Sequence, residues 1–99
     1  MTLEELKYLV SESYNKHQWF IGIDDLPKQI SEVENEGWTD EGKYSYRSDY
    51  YKDNEGNHFR IDNSRSGRYH SDYYYHEPYV FQVEPKVETI TRVVWKEIK

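Results

Sequence analysis

From Gly42 onward the side chains alternate with a period of two, and this bounds the fold more tightly than anything else in the chain. Tyr44, Tyr46, Ser48 and Tyr50 share one parity; Lys43, Ser45, Arg47, Asp49 and Tyr51 share the other. A turn at Asn54-Glu55-Gly56-Asn57 follows, and the alternation resumes with Phe59 and Ile61 inward and His58, Arg60 and Asp62 outward. These two runs predict a β-hairpin with a four- to five-residue connection. Taking the Tyr44–Tyr50 parity as inward leaves Tyr51 facing out.

Asn63 to Gly67 contains no apolar residue and reads as the next turn or loop. Arg68 to Phe81 holds five of the eleven tyrosines, on both parities. The spacing predicts a strand ending near His76, a kink at Glu77-Pro78 and a further strand from Tyr79 to Glu84, with Tyr74 facing out. Val87 to Ile98, rich in Val, Ile, Thr and Trp, predicts another strand.

Before the switch the period is helical. Thr2-Leu3-Glu4-Glu5 forms a capping box, and Leu3, Leu6, Leu9, Val10 and Tyr14 recur on one face, which predicts a helix over about 3–16. His17 to Ile23 is either a short buried strand or a tight connector whose Trp19 and Phe20 plug the end of the core. Asp24 or Asp25 can cap a second helix with Pro27 in its first turn, a Leu26, Ile30, Val33 stripe and a left-handed exit at Gly37. The expected architecture is one α+β domain over residues 1–99, with two N-terminal helices packed on a four- to five-stranded antiparallel meander sheet.

Leu, Ile, Val and Phe number 20, few for a charged chain of this length, so the 14 Tyr and Trp rings must complete the core. There is no cysteine, which excludes disulfides, thiol catalysis and cysteine metal sites. The start lacks the apolar stretch of a secretory signal and no run is long enough to span a membrane, so a soluble cytoplasmic protein is expected.

Net charge is −6, and its placement carries information. Between Asp24 and Glu41 lie seven acids (Asp24, Asp25, Glu32, Glu34, Glu36, Asp40, Glu41) against one base, Lys28. In the expected second helix, Glu32, Glu34 and Glu36 would sit where the helix dipole favours cations, and a local rule broken in this way points to a partner surface. Trp38, beside these carboxylates, and the outward Tyr51 and Tyr74 supply aromatic anchors.

Other chemistries find less support. Arg60, Arg65 and Arg68 cluster with His58 and His70, but three arginines on an acidic chain argue against direct nucleic-acid binding. His58, His70 and His76 lack the paired spacing of a metal site, and Ser64, Ser66 and His70 lack the elbow and oxyanion signatures of a nucleophile. No catalytic residue, metal or cofactor is expected.

In size, acidity, tyrosine content and absence of cysteine, the chain resembles the small inhibitors that phages and mobile elements encode against host defence, the anti-CRISPR proteins among them. Toxin-neutralising immunity proteins share that composition. The resemblance implies a non-enzymatic protein that occludes a nucleic-acid-binding site, its carboxylates standing in for phosphates. The partner would be basic, for example a nucleic-acid-binding enzyme, reached by electrostatic steering. The alternatives are a carbohydrate- or ligand-binding module using the tyrosine face, and a homodimer closed through exposed tyrosines.

Overall fold

The computed structural model describes residues 1–67 and 73–86, together with Trp95 and Ile98. The expectations for Arg68, Tyr69 and His70, and for a strand over 87–98, lie outside the described residues. Helix α1 spans Leu3–His17. Both halves of its capping box are formed: Thr2 Oγ1 accepts from the Glu5 amide, and Glu5 reaches back to the Thr2 amide. It ends where Gln18 adopts a left-handed conformation (φ 51°) and donates its amide to Tyr14 O.

Among the described residues six strands follow: β1 (Ser31–Asn35), β2 (Thr39–Glu41), β3 (Tyr44–Lys52), β4 (His58–Ser66), β5 (Tyr74–Tyr75) and β6 (Tyr79–Val83). They form one antiparallel sheet of four lanes. β3 and β4 are the unbroken central pair; β1 and β2 run end to end along β3, and β5 and β6 along β4. The lanes follow chain order, as a meander requires. The kink expected at Glu77-Pro78 separates β5 from β6 and shifts the register by one residue.

The second helix is absent. A single 3₁₀ turn occupies Ile23–Asp25, and the segment expected to end a helix is strand β1. Leu26, Ile30 and Val33 have helical spacing, yet Glu32-Val33-Glu34 also alternates, and the backbone pairing that β3 offers decides between the two. Ile30 enters the core, whereas Val33 stands exposed at a β-bulge between Glu32 and Glu34. Gly37 does take the left-handed conformation (φ 68°), but it lets the chain step between β1 and β2 rather than leave a helix. The carboxylates that looked misplaced on a helix dipole therefore oppose no dipole.

The facing of β3 is the reverse of the expected one. Register pairs Tyr51 with Phe59, Asp49 with Ile61 and Arg47 with Asn63, and this is the face that α1 covers. Leu6 and Val10 of α1 meet Ile21, Ile30, Tyr51, Phe59, Ile61 and Val80 in the core. Tyr51 is 1% exposed, not a surface residue. Further along β3 the side chains on this face, Asp49, Arg47 and Ser45, are polar and hydrogen-bonded. Asp49 accepts a forked pair of bonds from the Arg47 guanidinium at about 3.0 Å, and Ser45 donates to Asp40.

The stretch after α1 is a connector rather than a strand, fastened by one side chain. Buried Asn63 accepts from the Ile21 amide at 2.9 Å and donates to the Ile21 carbonyl at 3.1 Å, reproducing the two bonds a neighbouring strand would have made. Trp19 and Phe20 close this end of the core, as the connector alternative had it, and Trp38 and Tyr75 join them, with ring centroids 4.2 Å apart for Trp19 and Tyr75 and 5.7 Å for Phe20 and Trp38. Two guanidiniums lie among the rings: Arg47 over Phe20 and Trp38, and Arg65 between Trp38 (4.0 Å) and Tyr73 (3.9 Å).

Candidate functional site

One face of the sheet is covered by α1; the other is open, and the register builds it lane by lane. The outer lane contributes Glu34 opposite Tyr50, Glu36 alongside Ser48, Thr39 opposite Tyr46 and Glu41 opposite Tyr44. β3 then offers Tyr44, Tyr46, Ser48 and Tyr50, and β4 offers Ser66, Ser64, Asp62, Arg60 and His58 beside them. Tyr74, Tyr79, Phe81 and Val83 form the far lane. The result is a polar floor between two rows of aromatic rings, with a fringe of carboxylates along one side.

These rings are accessible. Tyr44, Tyr46, Tyr74, Tyr79 and Phe81 are all exposed, Tyr79 most of all at 71%. So many exposed rings on one sheet face exceed what scattered surface aromatics explain. The floor is internally bonded: Ser48 Oγ donates to Asp62 Oδ1 at 2.7 Å, and the Arg60 Nε lies 3.0 Å from the same oxygen. Arg60 also lies over Phe81, its guanidinium carbon 4.4 Å from the ring centroid. Between the lanes is a hollow of about 230 Å³ lined by Tyr46, Arg47, Ser48, Asp62, Asn63, Ser64 and Tyr79.

The expected partner-binding residues divide. Glu32, Glu34, Glu36, Asp40 and Glu41 are exposed along one edge of the sheet, brought together by a strand rather than a helix. Charged side chains on an edge strand also discourage another sheet from adding there. Glu34, Glu36 and Glu41 fringe the open face; Glu32 and Asp40 align with Tyr51 and Ser45 on the helix side. Asp24 is exposed in the 3₁₀ turn. Asp25 is engaged in the fold, accepting from the Gly22 amide at 3.0 Å and meeting His17 Nε2 at 3.1 Å. Trp38 is half-buried on Arg65, and Tyr51 is core; neither belongs to the open face. Tyr74 is exposed on it, as expected.

Sequence reasoning missed Tyr44, Tyr46, Tyr79 and Phe81 as surface features; it faced Arg60 and Asp62 outward, as the structure does, but did not find their pairing. The signal was the length of the hairpin connection. A five-residue loop, Asp53 to Asn57, puts Tyr51 opposite Phe59 and so turns the whole tyrosine parity outward. Among the described residues no group of three or more His, Asp or Glu converges as a metal site, and no helix is long and apolar enough to cross a membrane.

Comparison with known proteins agrees with a small phage protein. The chain is 38% identical over 71 residues to an "uncharacterized 12.6 kDa protein in pin-nrdC intergenic region" of Enterobacteria phage T4, covering 71% of this chain and 67% of that one. No solved structure matches the chain. The family described as Phage T4 Y04K protein matches residues 1–98, nearly the full length that carries the helix, the sheet and its open face. The chain belongs to the phage T4 Y04K protein family.

Proposed function

We propose that this chain is a non-enzymatic inhibitor that binds a basic protein of the host cytoplasm and occludes its nucleic-acid-binding site, in the manner of anti-CRISPR and similar anti-defence proteins. The observation that carries the reading is one of register. Glu34, Glu36 and Glu41 border the row of Tyr50, Tyr46 and Tyr44, so carboxylates that attract a basic surface adjoin rings that can anchor it. Charge alone gives rapid encounter and salt sensitivity; the rings add desolvated contact area at low entropic cost. Membership of a phage family agrees with a target in the infected cell.

The test is retention of purified nucleic-acid-binding host enzymes on the immobilised protein at low and high salt, with duplex DNA as competitor. Retention that falls with salt, yields to DNA and is lost in the Glu34→Lys, Glu36→Lys, Glu41→Lys variant is the expected result. Retention unaffected by either the triple variant or DNA would overturn the proposal. Binding that ignores salt but is lost on truncating Tyr44, Tyr46 and Tyr79 to alanine would favour a ligand-binding module instead.

A further inference from the structure

The hollow beside Asp62 sets aromatic rings against a carboxylate, a combination that the protein elsewhere joins to arginine; Arg47 is among its lining residues, and Arg60 pairs with one oxygen of Asp62. On the open face Arg60 lies over Phe81 and beside Asp62. On the opposite face of the sheet, Arg47 lies over Phe20 and Trp38 while its guanidinium grips Asp49. Among the described residues aromatic ring, carboxylate and guanidinium thus occur together twice.

β6 advances by two residues from Phe81 to Tyr79, and register puts Tyr79 beside Asp62 as Phe81 is beside Arg60. Tyr46 lines the opposite wall. Ser48 and Arg60 both engage Oδ1 of Asp62, so Oδ2 has no hydrogen-bond partner among the described residues. The volume of about 230 Å³ accommodates a side-chain head group but not an extended polymer.

We infer that this hollow binds the guanidinium of an arginine side chain from the protein partner, held flat against Tyr79 and Tyr46 and hydrogen-bonded to Oδ2 of Asp62. This deepens the proposed function and rests on it for the source of the arginine. A planar fork suits the site better than an ammonium because it stacks on a ring and reaches a carboxylate in the same plane. Ser64 at the hollow's margin offers a further acceptor. The aromatic rows then provide a specific lock, while the carboxylate fringe provides attraction at a distance.

The test is an amide NMR titration of the full chain with the blocked tripeptides Gly-Arg-Gly and Gly-Lys-Gly, with N-acetylglucosamine as a neutral probe. The arginine peptide should move the amides of Tyr46, Ser48, Asp62, Ser64 and Tyr79, and the lysine peptide should do so more weakly. Asp62→Asn should weaken the arginine response about tenfold or more. Tyr79→Ala, at an exposed position that leaves the core untouched, should weaken it about threefold. Shifts confined to Glu34, Glu36 and Glu41, or equal affinity in Asp62→Asn, would overturn the inference. So would a response to the sugar alone. Basic enzymes retained through the carboxylate fringe while the arginine peptide ignores the hollow sink this inference only; arginine binding in the hollow with no basic enzyme retained sinks the proposed function only.

Discussion

The α-ammonium of Met1 donates to Oδ2 of Asp53 across 2.9 Å, tying the approach to α1 to the turn of the central hairpin. Asp53 also accepts from the amides of Glu55 and Asn57 and from the Asn57 side chain, each at 2.9 Å. Its carboxyl is held far below the ordinary value of 3.8, chiefly by the Asn57 side-chain bond, then by the ammonium and the two turn amides, against the opposing effect of burial. The ammonium is raised above 8.0, chiefly by its hydrogen bond to Asp53.

A pH dependence follows from those two directions. A depressed carboxyl contributes stability above its unfolded value, lost as pH falls through the folded one; a raised ammonium contributes stability below its unfolded value, lost as pH rises. The contribution of this cluster should therefore be flat between the ordinary values of 3.8 and 8.0 and decline on both sides. Urea midpoints across pH for the wild type and Asp53→Asn check it: the difference between them should shrink at both extremes.

Asn63 supplies the bonds that fasten the connector, so removing it strands a buried N–H and a buried C=O. Asn63→Ala should cost about 2–4 kcal/mol. The urea midpoint should fall with the slope of the transition unchanged, since the folded surface is the same.

The Arg47–Asp49 pair is expected to show strong coupling. Burial raises the Asp49 carboxyl, opposed by the Arg47 hydrogen bond and charge, so its ionisation costs stability as pH rises through the folded value. Removing only one partner leaves the other poorly solvated: Asp49→Ala should cost about 3 kcal/mol. Arg47→Met combined with Asp49→Leu should recover most of that loss, and a double-mutant cycle measures how much.

Trp38 separates stability from binding. It supports Arg65 and packs edge-on against Phe20, away from the open face. Trp38→Ala should lower stability by about 2–3 kcal/mol and leave partner affinity unchanged under conditions where the variant remains folded. Calorimetric unfolding alongside the retention assay checks both halves of this expectation.

The sequence made legible whatever rested on local chemistry. The Thr2–Glu5 capping box marked α1, and the Asn54–Asn57 turn marked the central hairpin. Pro78 marked the break between β5 and β6. What escaped depended on distant partners. Ser31 to Asn35 satisfies a helical stripe and a strand alternation equally well, and only β3 chooses between them. The inward side of β3 could not be found by hydrophobicity, because the buried parity carries Ser45, Arg47 and Asp49 and the exposed one carries tyrosines. The acidic segment was identified by composition alone, but its rank along a sheet edge emerged only with the register. The aromatic far lane required knowing that β6 lies beside β4.

The outer lane slips against β3 twice, once at Val33 and again between Asn35 and Thr39, where four residues advance against three. Each slip works as a parity switch. Glu36 and Glu41 are an odd number of residues apart and would fall on opposite faces of a regular strand; the second slip returns both to the open one. Its charge pattern is therefore written in spacing as much as in residue type. Deleting Gly37 would take out the extra residue together with the slip: three residues would then advance against three, Thr39 and Glu41 would keep Tyr46 and Tyr44 as partners, and the fringe would survive on a regular strand.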